Sequence, residues 1–446
     1  MNEKTLIRDM AALISEVHHV ARDGFGRLFR YDRGVYVPGG EFLVRQEVKR
    51  LLLLFGKAEQ WSSALGRELV EFILLDAPEL AAEPPADEIN LDNGILNIWT
   101  RELQPHSPRF LSPVRIPVRF DPAATCPEID NFVNQCFPAD STALAWEILG
   151  DLITPDRSIQ KAVALIGEGG NGKGVFLQLA TNFVGTNNVA HLSLQKLETD
   201  RFAPARLYGK LANICPDLPG EQLSGSAVFK SVTGCDRITA EFKYRDSFEF
   251  RPFARLLLSA NHLPASRDAA KAFFDRWLMV PFPRCFRGTA NELPRRMMDT
   301  ILSSPGELSG ALNRALPALR RLRREGQFTE SATARQQYAE LQQVTDPLAH
   351  WLSSETTRSG TASIPQDHLH AAYAGACARS NRPILSKQMF GRRLRALRPE
   401  IEEAQRMIDG RRQWVYLGIG LRSQTPRSLV LQSEMAYADT LDNPEH

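Results

Sequence analysis

Residues 162–174 read AVALIGEGGNGKG: five apolar residues, Ala162 to Ile166, then Gly167-Glu168-Gly169-Gly170-Asn171-Gly172-Lys173-Gly174. The spacing is G-x-x-x-x-G-K. It predicts a buried strand, a glycine-rich turn, and a helix from Lys173 to Val184 stopped at Gly185. Glycines here let successive backbone N–H groups turn inward around phosphate oxygens. The helix N-terminus adds its positive end, and Lys173 can reach the β- and γ-phosphates. Residues 167–175, closing with Val175, are therefore the candidate nucleotide-phosphate segment, with ATP and Mg²⁺ as the expected cofactors. One position departs from the pattern. Gly174 stands where Ser or Thr supplies a hydroxyl to Mg²⁺, so either water fills that place or phosphates and a later acid hold the ion.

Working outward, LANIC (211–215), ARLLLSA (254–260) and WLMVPF (277–282) read as further buried strands. Short apolar strands alternating with helices define an α/β core around a largely parallel sheet. Asp217 follows the first of these and is placed to hold Mg²⁺ or its water, with Glu221 in reserve. Asn261 follows the second and can orient an attacking water. Arg276 precedes the third and can reach a neighbouring subunit's γ-phosphate; an ordinary pair with Asp275 competes with that role. Between them, Ile238 to Tyr244 and Phe248 to Arg255 alternate as two strands around a tip at 243–247. Lys243, Tyr244 and Arg245 there suit a grip on a nucleic-acid backbone, with Tyr244 stacking on a base. A plain exposed turn is the alternative.

The amino-terminal region is mixed α+β. A helix is expected over 3–22, a hairpin over 25–40, helices at 41–55 and 61–79, a loop at 81–88, and a hairpin at 89–99 around Asn93-Gly94. Helices at 127–137 and 142–153 stop before Pro155. Helical pattern returns after about 290 and runs to Gln343. The expected divisions are an N-terminal α+β region (1–120), a helical collar (121–157), the ATPase core (158–290), a helical lid or linker (291–345), a winged-helix-like domain (346–421) and a disordered tail (422–446).

Composition narrows the class. The 446 residues carry 54 Lys and Arg against 52 Asp and Glu, a net charge of +2. The charge is uneven: residues 311–420 hold 17 basic and 10 acidic residues, a net of +7. Such asymmetry fits a polyanion partner. Six cysteines with no Cys-x-x-Cys pair exclude zinc fingers and argue against a disulfide scaffold. No run approaches the roughly 18 apolar residues of a membrane span, and the N-terminus lacks a signal-peptide order. The expectation is a reduced, cytoplasmic protein with no membrane partner.

In order, GEGGNGKG, LYGKLANICPDLPGE, VFKSVTGCDRITAEFKYRDSFEF, RLLLSANHLP and FFDRWLMVPFP resemble the superfamily 3 helicase core of phage and plasmid primase–helicases, the poxvirus D5-like group. The resemblance covers about 90–420 and is strongest over 160–285. It implies an AAA+ type P-loop ATPase core, a homo-oligomeric ring, usually a hexamer, and translocation on single-stranded DNA in replication of a phage, plasmid or mobile element. Carried over by position, it makes Lys173 the Walker A lysine, Asp217 the Walker B acid, Asn261 the sensor and Arg276 the arginine finger. Lys243 and Arg245 would line the channel. Full-length relatives often carry a primase domain, but residues 1–150 show no primase acidic motif or zinc ligands. A separate primase is then a candidate partner.

Within 346–421, Leu385 to Leu397 reads as a helix with Lys387, Arg392, Arg393 and Arg395 and no acid; Pro399 ends it. Gly410-Arg411-Arg412-Gln413 then leads into the strand WVYLGIGL. That order is a winged helix, whose basic helix enters the major groove of duplex DNA. Two functions share these residues: a replicative DNA helicase, and an ATP-dependent initiator or regulator that binds DNA without unwinding it. A small-molecule P-loop kinase is disfavoured by the finger, the tip and the basic module.

Overall fold

Apolar alternation builds the amino-terminal region around a short meander. The computed structural model describes residues 3–218, 227–261, 273, 275–289, 292, 294–336, 347–379 and 384–422. Helix α1 (Glu3–Val17) ends earlier than the expected 3–22, because Val20–Arg22 forms strand β1. β1 pairs antiparallel with β2 (Leu28–Asp32), and β2 with β3 (Val35–Pro38). The turn between β1 and β2 is fixed by Asp23, whose carboxylate accepts from the backbone N–H of Phe25 and Arg27 at 3.0 and 2.9 Å. That local carboxylate closure is what ends the helical reading. Helices α2 (Gly40–Leu54) and α3 (Ser63–Asp76) follow, and with α1 they enclose a core of Met10, Ile14, Val44, Leu52 and Leu69.

A second meander, β4 (Glu88–Leu91), β5 (Gly94–Asn97) and β6 (Leu103–Gln104), turns at Asp92-Asn93, one residue before the expected Asn93-Gly94, because Gly94 already pairs with Leu91. Helices α4 (Pro127–Cys136) and α5 (Thr142–Leu152) lead into the main sheet. Its elements are β7 (Ala162–Ile166), α6 (Lys173–Val184), β8 (Val189–Ala190), α7 (Leu194–Thr199), β9 (Ala212–Cys215), α8 (Ala227–Gly234), the hairpin β10 (Ile238–Glu241) and β11 (Ser247–Phe250), β12 (Arg255–Ala260) and β13 (Trp277–Pro281). Five strands lie in the order β13-β7-β12-β9-β8, every pair parallel. The expected α/β core with a parallel sheet is present. Arg255 begins β12 rather than ending the hairpin. Its Nε sits 2.9 Å from the Asp151 carboxylate, a buried pair tying α5 to the sheet.

Helices α9 (Arg295–Ser303) and α10 (Pro305–Glu325) complete this unit. One hydrophobic core runs through the residues expected as collar, ATPase core and lid. It contains Leu91, Ile129, Leu149, Leu165, Phe176, Leu257, Val280, Leu312 and Leu319. The chain forms two compact units, residues 1–338 and 339–446. Within the described residues no helix is long and apolar enough to cross a membrane.

The second unit holds α11 (Pro347–Glu355), β14 (Thr356–Pro365), α12 (Gln366–Arg379), α13 (Lys387–Leu397), β15 (Glu402–Ile408) and β16 (Arg411–Leu421). The strands form an antiparallel sheet in the order β14-β16-β15. Asp409 and Gly410, both at positive φ, make the two-residue turn that closes β15 on β16. Leu369, Tyr373, Phe390, Leu394 and Tyr416 form its core. Glu221, the helix expected beyond residue 336 and the tail expected beyond residue 422 lie outside the described residues.

Gly310 marks how closely α10 approaches the chain entering α4. A Cβ built on it would lie 2.1 Å from the Thr125 carbonyl carbon. Backbone cannot rotate away, so Gly310→Ala forces a shift costing about 1–3 kcal/mol. The expected result is a lower midpoint in thermal or urea unfolding; an unchanged midpoint would contradict the packing of α10.

Candidate functional site

The glycine-rich loop leaves the carboxyl end of β7, between β12 and β13. The Gly167 N–H donates to the Ala260 carbonyl at 3.3 Å, and the Phe282 N–H to the Ile166 carbonyl at 2.7 Å. Buried Asn171 is a brace inside the loop: its side-chain amide donates to the Phe282 carbonyl at 2.9 Å. Gly172 opens α6 with φ 91° and no side-chain cap. A Cβ there would lie 2.5 Å from Cys136 Sγ. The first-turn N–H groups of α6 are thus open to an anion.

Lys173 is only 7% exposed. Its Nζ donates to the carbonyls of Gly167 and Glu168 at 2.6 and 2.8 Å and to Asn171 Oδ1 at 3.1 Å. Burial lowers its pKa, and the Asp217 carboxylate works against that shift. An ammonium held by loop carbonyls at an uncapped helix start fits a nucleotide phosphate chain. Glu168 and Gly169 are exposed at the loop's tip, and Val175 packs beneath it.

Two further predicted residues meet this loop. Asp217 is exposed just past β9, where the Leu218 N–H donates to the Ser259 carbonyl at 2.8 Å and Ser259 Oγ to the Pro216 carbonyl at 2.7 Å. Asn261 directly follows Ala260, the residue hydrogen-bonded to Gly167. Lys173, Asp217 and Asn261 therefore share the carboxyl edge of the sheet, where ligands of open α/β sheets bind. No cluster of three or more His, Cys, Asp or Glu suited to a metal occurs among the described residues. A Cβ built on Gly174 meets nothing within 4 Å, so the missing hydroxyl leaves open space.

Arg276 is at the opposite edge. Its carbonyl accepts from the Ala162 N–H at 2.7 Å, and Trp277 to Pro281 runs beside Ala162 to Ile166. Five residues at about 3.3 Å each put roughly 16 Å of strand between Arg276 and the loop. It cannot serve its own subunit's phosphates.

Sequence reasoning missed a pocket of about 220 Å³ beside the loop, with Phe132, Val175, Phe286 and Met298 as apolar walls and Arg287 and Glu292 among its polar ones. Burial pushes the Cys136 thiol up to about 12, with Arg284 opposing, so it packs as a neutral group. The Phe286 N–H donates to the Gly170 carbonyl at 2.7 Å, and Arg287 lies against Gly170. No local signal marks these residues, because α4, α6, α9 and the chain after β13 each contribute to the pocket.

The hairpin's tip is where it was expected, though its strands are shorter. Tyr244 has φ 64° and is 90% exposed, a backbone cost of about 1–2 kcal/mol for presenting the ring to solvent. Lys243 Nζ lies 5.1 Å from that ring, and Arg245 is exposed. In the second unit, the four cations of α13 differ in their surroundings. Lys387 pairs with Asp367, and Arg395 with Glu403 at 3.3 Å. Arg392 is exposed, and Arg393 is half-buried. The helix has no acid of its own, but neighbouring elements supply two.

Three family models match parts of the chain: Family of unknown function (DUF5906) over 165–276, D5 N terminal like over 44–138, and RFX DNA-binding domain over 346–423. Putative helicase 121R of Invertebrate iridescent virus 3 is 28% identical over 173 residues. That match takes in 36% of this chain and spans only 18% of the relative's length. Two apo structures of the NrS-1 C terminal region share the fold at TM-scores of 0.52 and 0.51 and 12% and 13% identity. Each likeness covers 92% of this chain and 98% of the other.

The open space at Gly174 gives a direct check on metal binding. Gly174→Thr starts from a Cβ position with nothing within 4 Å and adds an oxygen next to Lys173. It is expected to lower the Mg²⁺ concentration that half-saturates ATP hydrolysis by about two- to tenfold, the range one added polar contact gives. An unchanged Mg²⁺ dependence would show that Gly174 does not face the ion.

Proposed function

We propose that the chain is an ATP-dependent DNA helicase of superfamily 3, with an AAA+ core that works as a homo-oligomeric ring in replication. The observation that carries this reading is the split of the candidate residues between two sheet edges. Lys173, Asp217 and Asn261 gather at the carboxyl edge, and Arg276 lies at the amino edge. An arginine that cannot reach its own phosphates is useful on a neighbour's. The similarity to a putative viral helicase and the D5 N terminal like match support the same reading. The RFX DNA-binding domain match supports duplex binding by the second unit.

In this mechanism Lys173 and the α6 amides would hold the β- and γ-phosphates, and Asp217 would hold Mg²⁺ or its water. Asn261 orients the attacking water. Arg276 from the adjacent subunit offsets charge that grows on the transferred phosphoryl group. The pocket beside Gly170 takes the base, with Phe132 and Phe286 as its apolar walls. Mg²⁺ supplies charge neutralisation at the phosphates when bound.

Lys173→Ala is expected to abolish hydrolysis, and Arg276→Ala to cut it while sparing nucleotide binding. Mixing the two variants should restore activity at interfaces that pair an intact Lys173 with an intact Arg276. No rescue at any ratio, with mixed assembly verified by native mass spectrometry, would sink a finger acting between subunits.

The two basic surfaces should divide the labour. Lys243→Ala with Arg245→Ala is expected to remove stimulation of the ATPase by single-stranded DNA and to spare duplex binding. Arg392→Ala with Arg393→Ala should weaken duplex binding and reduce the salt slope by about one unit per lost contact. Equal loss of both activities in both double variants would point to one continuous surface.

A further inference from the structure

A cleft of about 370 Å³ opens where β2, the start of α2 and the hairpin tip meet. Arg27, Phe42 and Arg45 line it from the amino-terminal region, and Arg245 lines it from the tip. Phe42 is 72% exposed. It is off the buried face of α2, which is Gly40, Val44, Val48, Leu51 and Leu52. Its place is fixed by Gly40: a Cβ there would lie 2.7 Å from the Leu28 carbonyl carbon, so α2 starts pressed onto β2. The ring is thus held in solvent by close backbone packing beneath it.

The two walls are joined. Phe25 packs edge-on against Phe242 and Phe248 on the tip half of the hairpin, with ring centroids 5.7 and 4.6 Å away. The Arg27 guanidinium lies 2.6 Å from the Asp23 carboxylate and 5.6 Å from the Phe242 ring. The charge is positive on balance. Glu41, the acid in the lining, is 3.7 Å from Arg45 in an exposed pair, and such pairs hold their partners weakly. Among the described residues no ion pair holds Arg245.

We propose that this cleft holds a single DNA strand, with Phe42 stacking on a base and Arg45 and Arg245 on flanking phosphates. Exposed rings interleaved with cations are the chemistry of single-strand grooves. A duplex keeps its base faces stacked inside and offers none to Phe42. The inference rests on reading the hairpin tip as a DNA grip, and it extends that grip over the amino-terminal region.

The test is fluorescence anisotropy of a labelled oligothymidylate titrated with the full chain. Phe42→Ala is expected to weaken binding about five- to a hundredfold, the range for one lost stacking contact. Phe42→Trp should keep the affinity, and its emission should fall on binding. Arg45→Ala should reduce the slope of log affinity against log salt by about 0.7. Leu54→Ala, exposed on the same helix, should bind as the parent does. Unchanged affinity in both Phe42→Ala and Arg45→Ala, with Lys243→Ala/Arg245→Ala weakened, would overturn the cleft and leave the tip standing. An equal loss in Leu54→Ala would also overturn it. A parent chain that binds no oligothymidylate would overturn both the cleft and the tip.

Discussion

The parallel register of β7 with β12 and β13 is the constraint on which the rest depends. Ala260 pairs with Ile166, and Pro281 pairs with the same residue from the other side. That alignment brings the glycine loop, Asp217 and Asn261 to one edge and sends Arg276 to the other. A one-residue slip would exchange the two faces of each strand, so the side-chain packing on both buried faces holds the register. Apolar strands covered on both faces supply that force: Leu165, Leu257 and Val280 share one core. The same alignment keeps Arg276 away from its own subunit's loop, which is why the proposed finger needs a neighbour.

Outside the sheet, aromatic packing links regions far apart in sequence. Phe25 and Tyr208 pack with Phe242, Phe248 and Phe250. Each such pair is worth about 0.5–1.5 kcal/mol beyond its buried area. The hairpin is therefore braced along its length, from Phe250 to Phe242, and Lys243, Tyr244 and Arg245 stand exposed beyond Phe242. A four-residue strand pair on its own would be marginal in water. The brace gives the amino-terminal region a mechanical reason to be part of the same unit as the sheet.

Much of the sheet was legible because its signals are local. The glycine loop, the helix from Lys173 to the Gly185 stop, and the strands around 212–215, 255–260 and 277–281 each follow from runs of a few residues. Readings failed where distant partners decide. Strand β8 is two residues long and exists because β9 lies beside it. Strands β14 and β15 are mostly exposed and polar, and pairing with β16 defines them. Residues 18–22 continue a plausible helix until Asp23 closes a turn. The acids facing Lys387 and Arg395 come from neighbouring elements, which helix composition cannot reveal. The pocket beside Gly170 and the cleft at Phe42 are likewise assembled from separate elements, and neither leaves a motif.

Strand displacement from a forked DNA duplex is the most direct measure of the central claim, because an ATP-dependent initiator shares every other property. The account predicts release of the labelled strand by the parent chain with ATP and Mg²⁺, and none by Lys173→Ala. ATP hydrolysis stimulated by DNA, with verified oligomers and no strand released under any loading condition, would contradict it.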